Sequence, residues 1–133
     1  MLQSDLVASI NNNAALALVL TGQAHGLRID RVYTPSAFDG NFELRPCAFV
    51  KVSLDAAIPD LRGSGMATVE VYLYQRVGFE VISQARDLLY ALWHEHAIGG
   101  GTLLWADDVV DQHDDALNAD LILTRFSHYR LRG

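Results

Sequence analysis

The sequence has a single cysteine, Cys47, and only three prolines among 133 residues. One cysteine cannot form a disulfide within the chain, and Cys47 is best interpreted as a small apolar residue of a strand. Half of the residues are hydrophobic, yet no apolar run approaches the ~18 residues of a membrane-spanning helix. The N-terminus lacks the basic start and apolar block of a signal peptide. We therefore expect a single soluble domain, residues 1–133, in a reducing compartment.

Motifs for catalysis are also lacking. An acyl-transfer site needs a nucleophile held beside a base, and no serine of the sequence stands in a Gly-x-Ser-x-Gly context. The run Gly63–Ser64–Gly65 is too short to cradle phosphate, and no lysine follows it. The sequence therefore predicts no catalytic residue and no cofactor.

The histidines do not form a metal signature. His94 and His96 are two residues apart, so on a helix they would point about 160° apart, whereas ligands sharing one face are three or four residues apart. We expect His96 to bond a carbonyl group. His113, between Asp111 and Asp114, offers the ligand types of a divalent cation, but a solvated acidic turn is the preferred interpretation. No metal site is predicted.

Basic residues are absent from one long acidic stretch near the C-terminus. Its six aspartates carry as much negative charge as the whole chain, whose net charge is −6, so the positive and negative charges of the remaining residues cancel. They are Asp107, Asp108, Asp111, Asp114, Asp115 and Asp120. The basic residues Arg125, Arg130 and Arg132 follow immediately. Two adjacent regions of opposite sign favour contacts with protein over nucleic-acid binding, which needs a basic face. A solvated acidic loop followed by an ordinary tail is the alternative.

The strongest pattern that is present is helical. Apolar residues of the segment 78–98 recur at a step of about 100° per residue around Ile82; they are Val81, Ala85, Leu88, Leu89, Leu92 and Trp93. Gly78 is the expected entry of this helix, and the Gly99–Gly101 run ends it. A weaker N-terminal pattern, with Ser4 as its cap, covers Leu6, Ile10, Ala14, Ala17 and Leu20. Three central asparagines allow one helix or two short ones.

Several segments alternate as strands do. Residues 67–76 separate cleanly into an apolar face and a polar face that carries Tyr72, Tyr74 and Arg76, residue types enriched at protein interfaces. Strands are also expected over 47–54, 102–106 and 117–124, with a weaker one over 27–34 followed by a loop at Pro35 and Gly40. These elements predict an α+β fold: an antiparallel sheet of about four strands, packed by the helix 78–98 and an N-terminal helix as a two-layer sandwich.

Four segments in this order resemble the tail-terminator or minor tail proteins of the neck of long-tailed bacteriophages. They read RPCAFVKV, TVEVYLYQR, VISQARDLLYALW and DDVVDQHDDALNADLILTRF. The resemblance covers most of the chain and implies an α+β virion protein, without enzymatic activity, in the tail and neck. It implies a hexameric ring that caps the tail tube, joins it to the head-closure or connector protein, and lets genomic DNA pass without specific binding.

From that resemblance we hypothesise that the acidic stretch and the arginines at 125, 130 and 132 face neighbouring subunits. Alternatively, the aspartates at 107–115 face the lumen, where negative charge repels passing DNA. Tyr72, Tyr74 and Arg76 complete the predicted subunit or partner interface. Two other functions stay open: a head-closure or connector subunit of the neck, and a small enzyme or ligand-binding domain, which a deep polar pocket would distinguish.

Overall fold

The computed structural model describes residues 2–27, 44–57 and 65–130. Its elements in chain order are α1 (Leu2–Asn11), α2 (Ala14–Val19), β1 (Ala24–Gly26), β2 (Cys47–Ala57), β3 (Gly65–Gln75), α3 (Glu80–Trp93), β4 (His96–Ile98), β5 (Gly101–Asp114) and β6 (Ala119–Arg130). All strands join one curled sheet in the order β1-β2-β3-β6-β5-β4. The predicted α+β class is confirmed. The sheet was predicted wrongly in two respects, because it has six strands and its β1–β2 pair is parallel.

Helix α3 presents to the sheet the face that its sequence pattern predicts. Ile82, Ala85, Leu89 and Trp93 are buried on it. The helix is shorter than the predicted span of 78–98, because the backbone becomes extended at His94 and residues 96–98 pair with β5 as a strand. Sheet pairing therefore replaces the last helical turn that periodicity alone would allow.

The N-terminal pattern forms two helices, one of the two arrangements that the sequence left open. The side chain of Asn13 caps α2 by accepting a hydrogen bond from the backbone N–H of Leu16 at 3.0 Å. This break resets the helical phase, so that Leu16 is buried whereas Ala14 and Ala17 are exposed. Ser4 was predicted as the first cap, but α1 begins before it, at Leu2.

The main core lies between the three described helices and one face of the sheet. Its largest fully buried side chains include Trp93, Phe126, Leu6, Ile10, Leu16, Leu73, Ile82 and Leu89. A smaller apolar cluster occupies the opposite face and contains Cys47, Phe49 and Tyr74. Cys47 is fully buried there, which confirms its interpretation as a small apolar residue, and burial raises the pKa of its thiol to about 12.

The remaining predicted segments agree with the structure to different degrees. Strands β2 and β5 contain the predicted segments 47–54 and 102–106, and β3 and β6 contain most of the predicted segments 67–76 and 117–124. Strand β1 ends at Gly26, directly before the strand predicted over 27–34. Residues 28–34 and the predicted loop at Pro35 and Gly40 lie outside the described residues. No helix in the described ranges is long and apolar enough to cross a membrane.

Candidate assembly surface

Most of the acidic stretch, from Asp107 to Asp114, is a strand, whereas a loop was the alternative interpretation from composition; Asp115 lies in the following turn and Asp120 on β6. β5 runs through Asp107, Asp108 and Asp111 to Asp114, paired with β6 over that length. Aspartate is disfavoured in strands, and the strand accommodates it with register shifts between Trp105 and Asp107 and between Val109 and Gln112. Asp111 lies in the second shift with a φ of 56°, a conformation that aspartate tolerates better than most residues.

Arg125 joins the acidic stretch to the centre of the sheet. Its Nη1 lies 3.1 Å from Asp107 Oδ2 on β5, and its Nε donates to Glu70 Oε2 on β3 across 3.3 Å. The hydrogen bond with Glu70, and then the charge of Asp107, raise the pKa of the Arg125 guanidinium. Part of the opposite charge that we expected to face neighbouring subunits is therefore paired within the chain.

Glu70, Arg125 and Asp107 are cross-strand partners, and the row that they form across the sheet continues to a fourth strand. Lys51 on β2 is the direct partner of Glu70, which is the partner of Arg125, which is the partner of Asp107. The row is therefore Lys51–Glu70–Arg125–Asp107, with the sign of the charge alternating across β2, β3, β6 and β5. Cross-strand pairs of opposite charge stabilise a sheet. The two ends of the row have opposite signs, and both end residues are exposed.

A second cluster joins β5 to α3. Arg86 Nε donates to Asp108 Oδ2 at 2.6 Å, and Trp105 Nε1 donates to the other carboxylate oxygen at 3.0 Å. The Arg86 guanidinium also lies 5.3 Å and 5.5 Å from the ring centroids of Tyr90 and Trp105, within the range of a cation–π contact. Both carboxylate oxygens of Asp108 therefore accept hydrogen bonds within the chain.

The end of the β5–β6 hairpin contacts the start of α3. Asp120 Oδ2 accepts the backbone N–H of Gly78 at 2.7 Å, and Asp120 Oδ1 lies 2.8 Å from His113 Nδ1. This hydrogen bond raises the pKa of His113 and, together with the Gly78 N–H, lowers the pKa of Asp120. His113 was considered as a cation ligand. In the structure its ring contacts the carboxylate of Asp120, which also accepts the backbone N–H of Gly78 just before α3.

The predicted interface residues on β3 are not equally accessible. Tyr74 is 3% exposed and donates its hydroxyl hydrogen to Asp114 at 3.1 Å, so it is not the exposed side chain that the alternation predicted. Tyr72 is half-buried, and burial followed by the charge of Glu70 raises its pKa. Arg76, Asp111, Asp115 and Arg130 are exposed, and Arg132 lies outside the described residues.

Three charged residues of these networks were missed from the sequence: Lys51, Glu70 and Arg86. Lys51 and Glu70 stand between apolar neighbours in their strands, and the registers of β2 with β3 and of β3 with β6 bring them into line with Arg125. A signal did exist, because the two expected strands 47–54 and 67–76 could have been aligned as a hairpin. Arg86 was on the half-exposed side of a correctly predicted helix.

The remaining histidines have backbone partners or cap an element. His96 Nδ1 lies 2.9 Å from the carbonyl oxygen of His94, which confirms the expected carbonyl contact, although His96 is exposed in β4 and not on a helix. His94 Nδ1 accepts the backbone N–H of Trp105 at 2.9 Å. Within the described ranges no three His, Cys, Asp or Glu side chains group as they would around a metal ion.

No family model and no curated protein matches the sequence. The fold is similar to that of a chain in the structure titled "Virion of native gene transfer agent (GTA) particle". The two chains are 13% identical, and the similarity covers 98% of this chain and 95% of the other with a TM-score of 0.67. At this identity the comparison shows a shared fold over nearly the whole of both chains.

Proposed function

We propose that this chain is a structural subunit of a phage-like virion, and specifically a tail terminator that forms a ring on the end of the tail tube. The observation that carries the proposal is the fold shared, over nearly the full length of both chains, with a component of a gene transfer agent virion. The resemblance of the four sequence segments to neck proteins of long-tailed phages supports the more specific role.

The proposed mechanism is geometric and needs no catalytic group. One face of the ring matches the tube end, and the other face offers no template for further tube subunits, so elongation stops by loss of complementarity. The second face receives the head-closure or connector protein. Contacts around such a ring are head-to-tail and use two different patches on each subunit.

The charge of the chain fits a channel that DNA traverses without binding. The net charge is −6, and the exposed aspartates at 111 and 115 add negative charge at the tip of the β5–β6 hairpin. A negative lumen repels phosphate and so lowers non-specific affinity for DNA. Under this proposal genomic DNA is a passing cargo of the ring.

The test is electron microscopy of the purified protein mixed with polymerised tail tubes of the same particle. We expect one ring of density at one end of each tube, and tubes that no longer lengthen when tube protein is added. Tubes incubated with a protein of similar size and charge are the control. Bare tubes would contradict termination, and binding to the portal complex would then identify a head-closure or connector subunit.

A further inference from the structure

We propose that His94 is the pH-sensitive part of a latch that holds β5 to the end of α3. The latch consists of Arg86 and Tyr90 on α3, His94 at the C-cap of that helix, and Trp105 on β5. It is closed while the His94 ring is neutral, and it opens at Trp105 when the ring takes up a second proton. All of its parts belong to one chain, so it operates whatever the chain assembles with.

The contact with Trp105 fixes the protonation state of the His94 ring. The backbone N–H of Trp105 donates to His94 Nδ1 across 2.9 Å, so Nδ1 carries a lone pair and the proton of the neutral ring lies on Nε2. A doubly protonated imidazole has two donors and no acceptor. The second proton and the bond to Trp105 therefore exclude each other.

His94 takes the place of a strand residue beside Trp105. β4 pairs with β5 only from Gly101 to Leu103, and continuing that register places His94 opposite Trp105. The backbone N–H of His94 belongs to α3, since it donates to the Tyr90 carbonyl at 2.9 Å. The His94 side chain therefore supplies the acceptor that a carbonyl group of a neighbouring strand would give, and it covers an N–H on the edge of the sheet.

The aromatic side chains around His94 are stacked on one another. Residues 86, 90 and 94 are four apart, so they share one side of the helix. The His94 ring lies 4.6 Å from the Tyr90 ring and nearly parallel to it, and Tyr90 meets the Trp105 ring edge-on at 6.0 Å. A movement of the His94 ring therefore disturbs the packing of Trp105, directly before the first register shift of β5.

Two charged side chains beside the ring act in opposite directions. Glu95 Oε1 lies 3.6 Å from His94 Nε2 and favours the protonated ring, but the glutamate side chain is 74% exposed, so solvent screens most of this attraction. Arg86 contacts the same Tyr90 ring as His94 does, and its charge disfavours a second cation there. The bond to Trp105 is then the contact that differs most between the two states.

The other titratable groups of the neighbouring strands have partners of their own. Asp108 on β5 accepts hydrogen bonds from Arg86 and from the Trp105 indole. On β4 the His96 ring contacts the backbone carbonyl of His94 and not its ring. Neither group replaces the acceptor that Trp105 loses when His94 is protonated.

The turn that follows His94 is strained. Glu95 has a φ of 64°, which costs energy in a residue other than glycine, and its N–H is held by the Leu103 carbonyl at 2.7 Å. Loss of the neighbouring bond to Trp105 removes one of the contacts that keep this turn in place. The latch therefore opens where the backbone is already strained.

The direction of the pH dependence follows from the acceptor role. The latch is complete while the ring is neutral, and it is lost as the pH falls and the ring is protonated, which imidazole side chains undergo near pH 6.5 in peptides. The His113–Asp120 contact has the opposite sign, because its histidine is bonded to a carboxylate. The two histidines are therefore distinguishable in a titration.

Nuclear magnetic resonance of the native chain tests the latch without a substitution. At pH 7.5 we expect a long-range 1H–15N spectrum to show the His94 proton on Nε2 and none on Nδ1. As the pH is lowered to 5, the protection of the Trp105 amide against hydrogen exchange should fall about five-fold, with the midpoint of the ring's own protonation. The amide of Val71, which is fully buried in β3, is the control and should keep its protection.

Two variants separate the acceptor from the proton. His94→Asn places an oxygen the same number of bonds from the backbone as Nδ1 and does not titrate, so Trp105 should stay protected at both pH values. His96→Asn changes an exposed histidine two residues away and should leave the fall unchanged. A proton on Nδ1 at pH 7.5, or a Trp105 protection that stays constant while the ring titrates, would overturn the latch. A fall that disappears in His96→Asn and persists in His94→Asn would assign the titration to His96 and overturn it as well.

Discussion

Trp93 donates its indole N–H to the hydroxyl oxygen of Ser9 across 2.9 Å, which ties the end of α3 to α1 over 84 residues of sequence. Trp93 is 1% exposed, and Ser9 in turn donates to the Leu6 carbonyl at 2.8 Å. The contact is a polar link within an otherwise apolar core, so its loss should lower the stability of the fold.

Ser9→Ala leaves the buried indole N–H without its acceptor, so we expect the free energy of unfolding to fall by about 1–3 kcal/mol. In a Trp93→Phe background, where the donor is absent, the same change should lower the free energy of unfolding much less. Urea unfolding followed by circular dichroism measures both. Equal losses in the two backgrounds would show that the hydrogen bond contributes nothing, and Ser83→Ala on the exposed side of α3 is the control.

Gln75 caps α3 from the end of a neighbouring strand. Its Oε1 accepts the backbone N–H of Val81 at 3.0 Å and that of Ile82 at 3.3 Å, whereas Phe79, at the N-cap position, makes no side-chain capping bond. Gln75 is 6% exposed. We expect Gln75→Ala to lower stability by about 1–3 kcal/mol, measured by urea unfolding. The exposed Gln84→Ala should be near neutral, and equal effects would refute the capping role.

The His113–Asp120 contact makes stability depend on pH. The pKa of His113 is raised by its hydrogen bond to Asp120, so its contribution is complete below the unfolded pKa near 6.5 and is lost as pH rises through the folded pKa. Asp120 has a lowered pKa, and its contribution is lost only in acid. We expect the difference in Tm between the native chain and His113→Gln to be larger at pH 6 than at pH 9. A difference that does not change with pH would refute this coupling.

Substitutions of different aspartates of β5 should affect either the stability of the fold or the proposed assembly. Asp108→Lys removes the partner of Arg86 and Trp105 and should lower the Tm of the isolated protein. Asp111→Asn removes the charge of an exposed residue and suits the left-handed backbone at that position, so it should leave the Tm nearly unchanged while impairing assembly of the proposed ring or DNA passage through it. Thermal unfolding and infectivity, or gene transfer, of particles carrying each variant measure the two effects. Full activity with Asp107, Asp108 and Asp111 all reversed would contradict a role for this strand in either step.

Cys47 should be inert in the folded protein. Its thiol is fully buried and its pKa is raised to about 12 by that burial, so almost no reactive thiolate exists at pH 8. An aromatic disulfide reagent at pH 8 should react with Cys47 only after guanidinium is added. Rapid reaction of the native protein would show that the cluster around Phe49 and Tyr74 opens readily.

The sequence by itself determined the elements whose signal is local. Periodicity located α3 and its buried face of Ile82, Ala85, Leu89 and Trp93, and alternation located most of β2, β3 and β6. The asparagines marked the break between α1 and α2. Each of these signals comes from residues within a few positions of one another, because the side-chain periods of helices and strands are short.

Only the tertiary structure decided the features that depend on distant partners. The acidic residues 107–114 have poor strand propensity, and they form β5 because β6 supplies the ladder and Arg125 supplies a counter-charge. The residues after α3 leave the helix because β5 offers a pairing edge. The cap of α3 by Gln75 and the row from Lys51 to Asp107 likewise arise from strand register. Register is set by the hydrophobic patterns of both paired strands and by the geometry of their connection, so the pattern of one segment alone does not determine it.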